Sequence, residues 1–251
     1  MINALYSAAS GMIAQQTSID VLANNLANAG TIGFKRDRMD QVDLAYRTFQ
    51  LPTGQAGQVG LGSAPGGIGK EMTEGEFEAS DRPLDVAING QGFLQVTRPD
   101  GTLAYTRAGA LSVDREGRVM LNSGELLQPR ITIPPGATDV KIGPDGAVTA
   151  NVNDTITKLG DIQLATFPNP GGLLSIGGSL FIASANSGTV SMGAADAGGR
   201  GAILQGYTEA SNVQVANEMV SMVATQRAFE ASARIVSASD EMWGIANGLR
   251  R

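Results

Sequence analysis

The chain of 251 residues contains neither cysteine nor histidine. Without cysteine there is no disulfide, no thiolate nucleophile and no thiolate metal site, and without histidine the commonest general base and metal ligand are missing too. Those two absences remove most familiar catalytic constellations. Positive charge is also scarce: 18 Lys and Arg against 24 Asp and Glu leave a formal charge of −6, which argues against an electrostatic nucleic-acid binder. Only Lys35, Arg36 and Arg38 lie close together, and Asp37 and Asp40 interrupt them, as in a solvated turn. Residues 1–30 lack a basic n-region and a continuous apolar run, so neither a secretory signal nor membrane insertion is expected. A chain of this kind that leaves the cytoplasm keeps its N-terminus.

Motifs for chemistry are missing as well. Gly90-Gln91-Gly92 opens a G-x-G, but Gln95 stands where the third glycine is needed, and Gly60-Leu61-Gly62 fails at Pro65. The carboxylates Glu71, Glu74, Glu76, Glu78 and Asp81 read as a solvated acidic face. The aspartates of the Asp-Gly turns are explained by turn geometry and not by a metal. No catalytic, cofactor-binding or metal-binding residue is expected, and no cofactor.

The positive signal lies at the two ends. Val215, Met222, Phe229, Val236 and Trp243 recur every seven residues, with Met219, Gln226, Ala233 and Asp240 four residues after the first four. That is an a/d heptad pattern in one long helix. It is expected to start at a Ser211–Gln214 capping box and to end with Arg250 and Arg251 against the helix dipole. In the first thirty residues Leu5, Met12, Ile19 and Leu26 also recur at seven, with Ala8, Gln15, Leu22 and Ala29 three residues after each. Asn3 is the expected N-cap and Gly30 the C′ residue, which makes a helix of about 40 Å. A lone amphipathic stripe must bury itself against something, so the two ends are expected to pair as a coiled coil. The polar face of the first helix carries Ser7, Ser10, Gln16, Thr17, Asn24, Asn25 and Asn28, with Asp20 its single charge. Small uncharged groups suit a helix packed by neighbours on several sides.

Between the ends, residues 51–70 hold nine Gly and Pro and read as an arm. From 73 to 206 the pattern is β. Runs such as Val86–Ile88, Phe93–Val96, Leu103–Thr106, Val119–Leu121, Ile131–Ile133, Ile162–Phe167 and Leu180–Ile182 are punctuated by Asp100-Gly101, Glu116-Gly117 and Asp145-Gly146. Residues 184–201 are poor in large apolar groups and read as a return linker. The expected fold is α+β: a helical domain from 1–33 and 207–251, an extended glycine-rich arm at 34–72, and an antiparallel β domain of barrel or sandwich type at 73–206.

Four blocks carry a resemblance: ANNLANAGTIGFKR (Ala23 to Arg36), LDVAINGQGFLQV (Leu84 to Val96), YTRAGALSVDREGRV (Tyr105 to Val119) and YTEASNVQVANEMVSMVATQRAFE (Tyr207 to Glu230). In this order they resemble the flagellar basal-body rod and hook proteins, and within that family the distal rod segment. A shorter arm between Tyr46 and Gly62 leaves a proximal rod paralogue as the alternative. The resemblance implies a non-enzymatic subunit that self-associates into a helical tube around the export channel. It further implies passage through the flagellar type III export apparatus without signal cleavage, and a place in the periplasm-spanning rod. Its implied partners are other rod proteins, the hook protein, and the L- and P-ring proteins. Assembly contacts would then fall on the seam residues Leu5, Met12, Ile19, Leu22, Leu26, Val215, Met219, Met222, Phe229, Val236 and Trp243. Asn24, Asn25, Asn28, Gly33 and Phe34 would fix the turn. A reading from another class remains beside it, a secreted β-domain binding module on a coiled-coil stalk.

Overall fold

The computed structural model describes residues 2–50 and 56–248 of the chain. By internal contacts the chain divides into two units. The first comprises residues 1–27, 37–69 and 214–251, and the second comprises 28–36 and 70–213. Among the described residues, no helix is long and apolar enough to cross a membrane.

The first unit is built on two helices, α1 (Ile2–Ala27) and α2 (Val215–Gly248). Among its described residues this unit also holds four strands: β1 (Asp37–Asp43), β2 (Tyr46–Gln50), β3 (Ala56–Gly60) and β4 (Ser63–Lys70). β1 pairs with β4, and β2 pairs antiparallel with β3 from Tyr46↔Gly60 to Gln50↔Ala56. The described part of the segment expected as a loose arm, which excludes residues 51–55, therefore forms strand ladders, where Gly57 and Gly60 leave room for their cross-strand partners Phe49 and Tyr46. α1 already includes Asn3, so that residue is not its N-cap. α2 starts four residues after Ser211. Its first turn closes with the Glu218 amide on the Gln214 carbonyl, and the Ser211 hydroxyl instead caps a turn by accepting from the Val213 amide. Arg250 and Arg251 lie outside the described residues.

The second unit holds sixteen strands. Its first half contains β5 (Phe77–Ala79), β6 (Val86–Asn89), β7 (Phe93–Thr97), β8 (Leu103–Thr106), β9 (Leu111–Val113), β10 (Val119–Leu121), β11 (Leu126–Gln128) and β12 (Thr138–Ile142). β13 (Ala147–Val152), β14 (Thr155–Asp161), β15 (Gln163–Thr166), β16 (Leu174–Gly177), β17 (Leu180–Ile182), β18 (Ser191–Ala194), β19 (Ala202–Gln205) and β20 (Tyr207–Glu209) follow. The main sheet runs β16-β17-β8-β7-β11-β10-β9, with β15 pairing both β7 and β18. β12-β13-β14 make a meander, β6 pairs β19, and β5 pairs β20.

Two expectations need correction. Ile131–Ile133 is no strand but a single bridge, Arg118↔Thr132, with Ile131 buried in the core. The expected linker 184–201 contains β18, whose small residues Gly193 and Ala194 let it lie against β15.

The core follows from the two-residue period of β7. Leu94 and Val96 enter one apolar cluster with Val86, Ile88, Leu111, Leu127 and Leu164. Phe93 points to the other face, into a second cluster with Tyr105, Phe167 and Phe181, whose rings meet edge to face at 4.9–6.1 Å.

Candidate assembly surface

Side chains of α1 and α2 meet in the first unit. The buried Asn25 amide donates to the Glu218 carboxylate at 3.3 Å, and a Cβ on Gly11 would lie 3.9 Å from the Ser232 hydroxyl. The fourteen steps from Gly11 to Asn25 match the fourteen from Ser232 back to Glu218, so the two helices run antiparallel in this register.

The inward row of α2 comprises Glu218, Met222, Thr225, Phe229, Ser232, Val236 and Ser239, all buried or partly buried, in alternating steps of four and three. Ala228 and Ala233 flank it. Met222, Phe229 and Val236 thus occupy the inward row, but their companions lie three residues on and not four. Met219, at 54 % exposure, Val215 and Trp243 point to solvent in the single chain, which corrects their expected place in an intrachain seam. The missed companions, Thr225, Ser232 and Ser239, are hydroxyl residues. Each returns its hydroxyl to the carbonyl four residues earlier, so a polar side chain sits on a packed face at little desolvation cost.

On α1 the fully covered residues are small: Ala8, Ala14, Val21 and Asn25. Leu5, Met12, Ile19, Leu22 and Leu26 are partly buried and flank that row. Met12, with Ala9, Ile13 and Gln16, forms an open apolar groove beside Phe229. The covered residues of both rows are thus mostly small or polar, which a count of large apolar residues misses.

The asparagines do specific work. Asn25 pairs with the backbone of Asp37 on both sides, accepting from its amide and donating to its carbonyl at 2.8 Å each, which pins the start of β1 to α1. Asn24 donates to the Asp37 carboxylate. In the second unit, Asn28 accepts from the Thr31 hydroxyl in the turn that follows α1.

That turn leads into a buried ionic cluster within the second unit. Glu209 receives Lys35 Nζ at 2.5 Å and the Gly75 amide at 3.1 Å on one oxygen, and Arg107 Nη1 at 3.0 Å on the other. Lys35 also donates to the Thr73 carbonyl, and Arg107 to the carbonyls of Ile88 and Gly90. Glu74, 4.0 Å from Arg107, brings a second carboxylate to the two cations. Burial pushes the Lys35 ammonium below the usual lysine value; attraction and hydrogen bonding from Glu209 oppose this, and the Arg107 charge adds to it.

Gly33 approaches the same place. Its φ is +66° and a Cβ there would come within 2.5 Å of the Ala108 amide nitrogen, so glycine is required. Its own amide bonds to the Glu209 carbonyl. Phe34 is buried with Lys70 Nζ 4.7 Å from its ring centre. Asn212 stitches the turn further, accepting from the Arg36 amide and donating to the Glu71 carbonyl.

Four sequence blocks meet here: Lys35 from GFKR, Gly90 from INGQGF, Arg107 from YTRAGA and Glu209 from YTEASN. Their role as one cluster was not readable from composition, since Lys35 and Glu209 stand 174 residues apart. Among the described residues no group of His, Cys, Asp or Glu could hold a metal ion.

Comparison with known proteins matches three stretches of the chain to family descriptions. Residues 5–35 match the family described as "Flagella basal body rod protein", residues 87–150 the "Flagellar hook protein FlgE/F/G D1 domain", and residues 204–249 the "Flagellar basal body rod FlgEFG protein C-terminal". The flagellar basal-body rod protein FlgG of Caulobacter vibrioides is 40% identical, covering 99% of this chain and 100% of its own. FlgG of Borreliella burgdorferi is 38% identical over the whole of both chains, and FlgF of Caulobacter vibrioides is 31% identical over 96% of this chain and 95% of its own. With matches over its whole length and at both helical ends, the chain belongs to the family of flagellar basal-body rod proteins.

Proposed function

We propose that the chain is a structural subunit of the distal part of the flagellar rod, polymerising into a hollow shaft that transmits torque and surrounds the export channel. In this reading α1 and α2 form the coiled-coil inner tube and the second unit forms an outer layer. Neighbouring rod and hook proteins meet its ends, and the L- and P-rings encircle it. The subunit would arrive through the type III export apparatus with its N-terminus intact, and it is not an enzyme.

The observation that carries the reading is the incompleteness of the helices. Among the described residues of the first unit the buried apolar ones are Ala8, Ala14 and Val21, while Tyr6, Ile13, Val220, Val223, Ile235 and Ile245 stay at 50 % exposure or more. Helices so poorly covered need neighbours to repay their ordering entropy. Seam residues such as Met219, Val215 and Trp243, open in the single chain, would contribute to contacts between copies. Leu5, Met12, Ile19, Leu22, Leu26, Met222, Phe229 and Val236 would line the paired helices, and Asn24, Asn25, Asn28, Gly33 and Phe34 would hold the turn in place. Higher identity to FlgG than to FlgF of one organism, 40% against 31%, favours the distal over a proximal position.

The test is deletion of the coding sequence, followed by electron microscopy of isolated basal bodies. Rods that stop short and lack hooks are expected. Complete rods and hooks in the deletion strain would overturn the reading.

A further inference from the structure

Three runs of the second unit, residues 33–36, 71–75 and 209–212, are stitched together although they come from distant parts of the chain. Gly33 gives its amide to the Glu209 carbonyl, and Asn212 gives its own to the Phe34 carbonyl. The Glu71 amide donates to the Arg36 carbonyl, and the Arg36 amide to the Asn212 side chain. Asn212 Nδ2 in turn donates to the carbonyls of Glu71 and Thr73. Each run therefore bonds to both of the others.

What holds them is polar. Among the described residues their one buried apolar side chain is Phe34, which joins neither core cluster, while Met72 leans on the aromatic one. At the centre the fully covered Lys35 ammonium rests on Glu209 Oε1 and the Thr73 carbonyl. The same oxygen of Glu209 takes the Gly75 amide. Every run thus supplies part of this seat. A buried charge that loses a partner is strongly destabilised, so lifting one run costs nearly as much as lifting all three. They part together.

We propose that the three runs form a clasp, with Lys35 as its pin, that opens and closes in one step while the β core stays folded. The core outlasts the clasp because regions with few buried apolar contacts open at lower free energy than the rest of a fold. Of the four chain passages between the two units, three adjoin the clasp: those after Arg36, before Lys70 and after Val213. Opening therefore frees the chain where it leaves the β unit. The device belongs to the β unit and does not depend on the rod reading.

The experiment is amide hydrogen exchange of the full-length chain, resolved at Gly33, Arg36, Glu71, Gly75 and Asn212 in the clasp and at Leu94, Leu127 and Leu164 in the core. In the wild type the five clasp amides are expected to share one degree of protection, below that of the leucines. Lys35→Met keeps the length of the side chain without its charge. It should speed exchange at all five together by about tenfold or more, as loss of a hydrogen bond to a charged group does, with the leucines still slowest. Ile162→Val, which trims the buried core, should speed the leucines and leave the five unchanged. Clasp amides that respond singly to Lys35→Met, or not at all, would overturn the proposal, as would unprotected clasp amides in the wild type. Acceleration of the five by Ile162→Val would make their opening the unfolding of the whole unit and overturn it too. A Lys35→Met chain that fails to fold would do the same, since the core would then not stand without the clasp.

Discussion

The two units of this chain solve the burial problem in opposite ways. The β unit closes two apolar clusters on themselves, edge-to-face aromatics included, and even its buried charges find partners, as Lys35, Arg107 and Glu209 do. Among its described residues the helical unit buries only small apolar side chains and keeps Tyr6, Ile13, Val220 and Ile245 about two-thirds exposed. Burial at about 25 cal/mol per Å2 of apolar surface rewards the first far more than the second. A unit left so open gains little from folding alone, whereas the closed unit holds a core of its own.

That contrast can be broken most directly by limited trypsinolysis of the monomer. The exposed Arg227 and Arg234 of α2 are expected to be cut within minutes, while a fragment spanning the β unit persists. Helices as resistant as the β unit, by mass spectrometry of the digest, would erase the distinction and favour a self-sufficient stalk.

The next largest effect is expected inside the β unit. Glu209→Gln leaves Lys35 and Arg107 buried with one acceptor charge fewer, and removing one member of such a cluster costs about 3–5 kcal/mol. Urea unfolding followed by the fluorescence of the β unit's tyrosines reads this out. A midpoint unchanged from the wild type would show that the ions contribute nothing to its closure.

Phe229→Ala sharpens the comparison from the other side. Partly buried beside Met12 and Gln16, Phe229 is expected to matter little in the monomer, by about 1 kcal/mol or less. In the assembled state, where its remaining surface is covered, the loss should approach about 3–5 kcal/mol. An equal effect on monomer unfolding and on the assembly threshold would deny it a role as an anchor between copies.

The smallest expected effect is in pH. Lys35 has a folded-state pKa below its value of 10.5 in the unfolded chain. Between those two values the unfolded chain binds the extra proton, so the stability tied to this group rises with pH through that window and is flat below it. Relative to Lys35→Met, the wild-type urea midpoint should therefore climb as pH approaches 10.5. A midpoint difference moving the other way would mean that Glu209 holds the ammonium above its ordinary value.

Much of the architecture was legible in the sequence. Heptads at both ends marked two helices, and Asp-Gly dipeptides between β-branched runs marked hairpins, since both signals are local and backbone-driven. The Pro99-Asp100-Gly101 turn closes as its residues require, with Asp100 accepting from the Thr102 amide. Less legible was the arm at 34–72, where glycine content pointed to loose chain and cross-strand packing produced ladders. Missing His and Cys exclude sites built on those two side chains whatever the fold.

By itself the sequence determined two long helices, a β-rich middle and membership of the rod family, because each of these follows from periodicity or from blocks of adjacent residues. Only the tertiary structure decided which row of each helix faces inward. Rows three and four residues apart satisfy the same heptad, and a seam lined by Ala14, Thr225 and Ser232 shows no excess of large apolar side chains to reveal it. Only the fold, too, brought Lys35, Gly90, Arg107 and Glu209 to one buried point, since contacts between residues far apart in the chain leave no local spacing for a pattern to register.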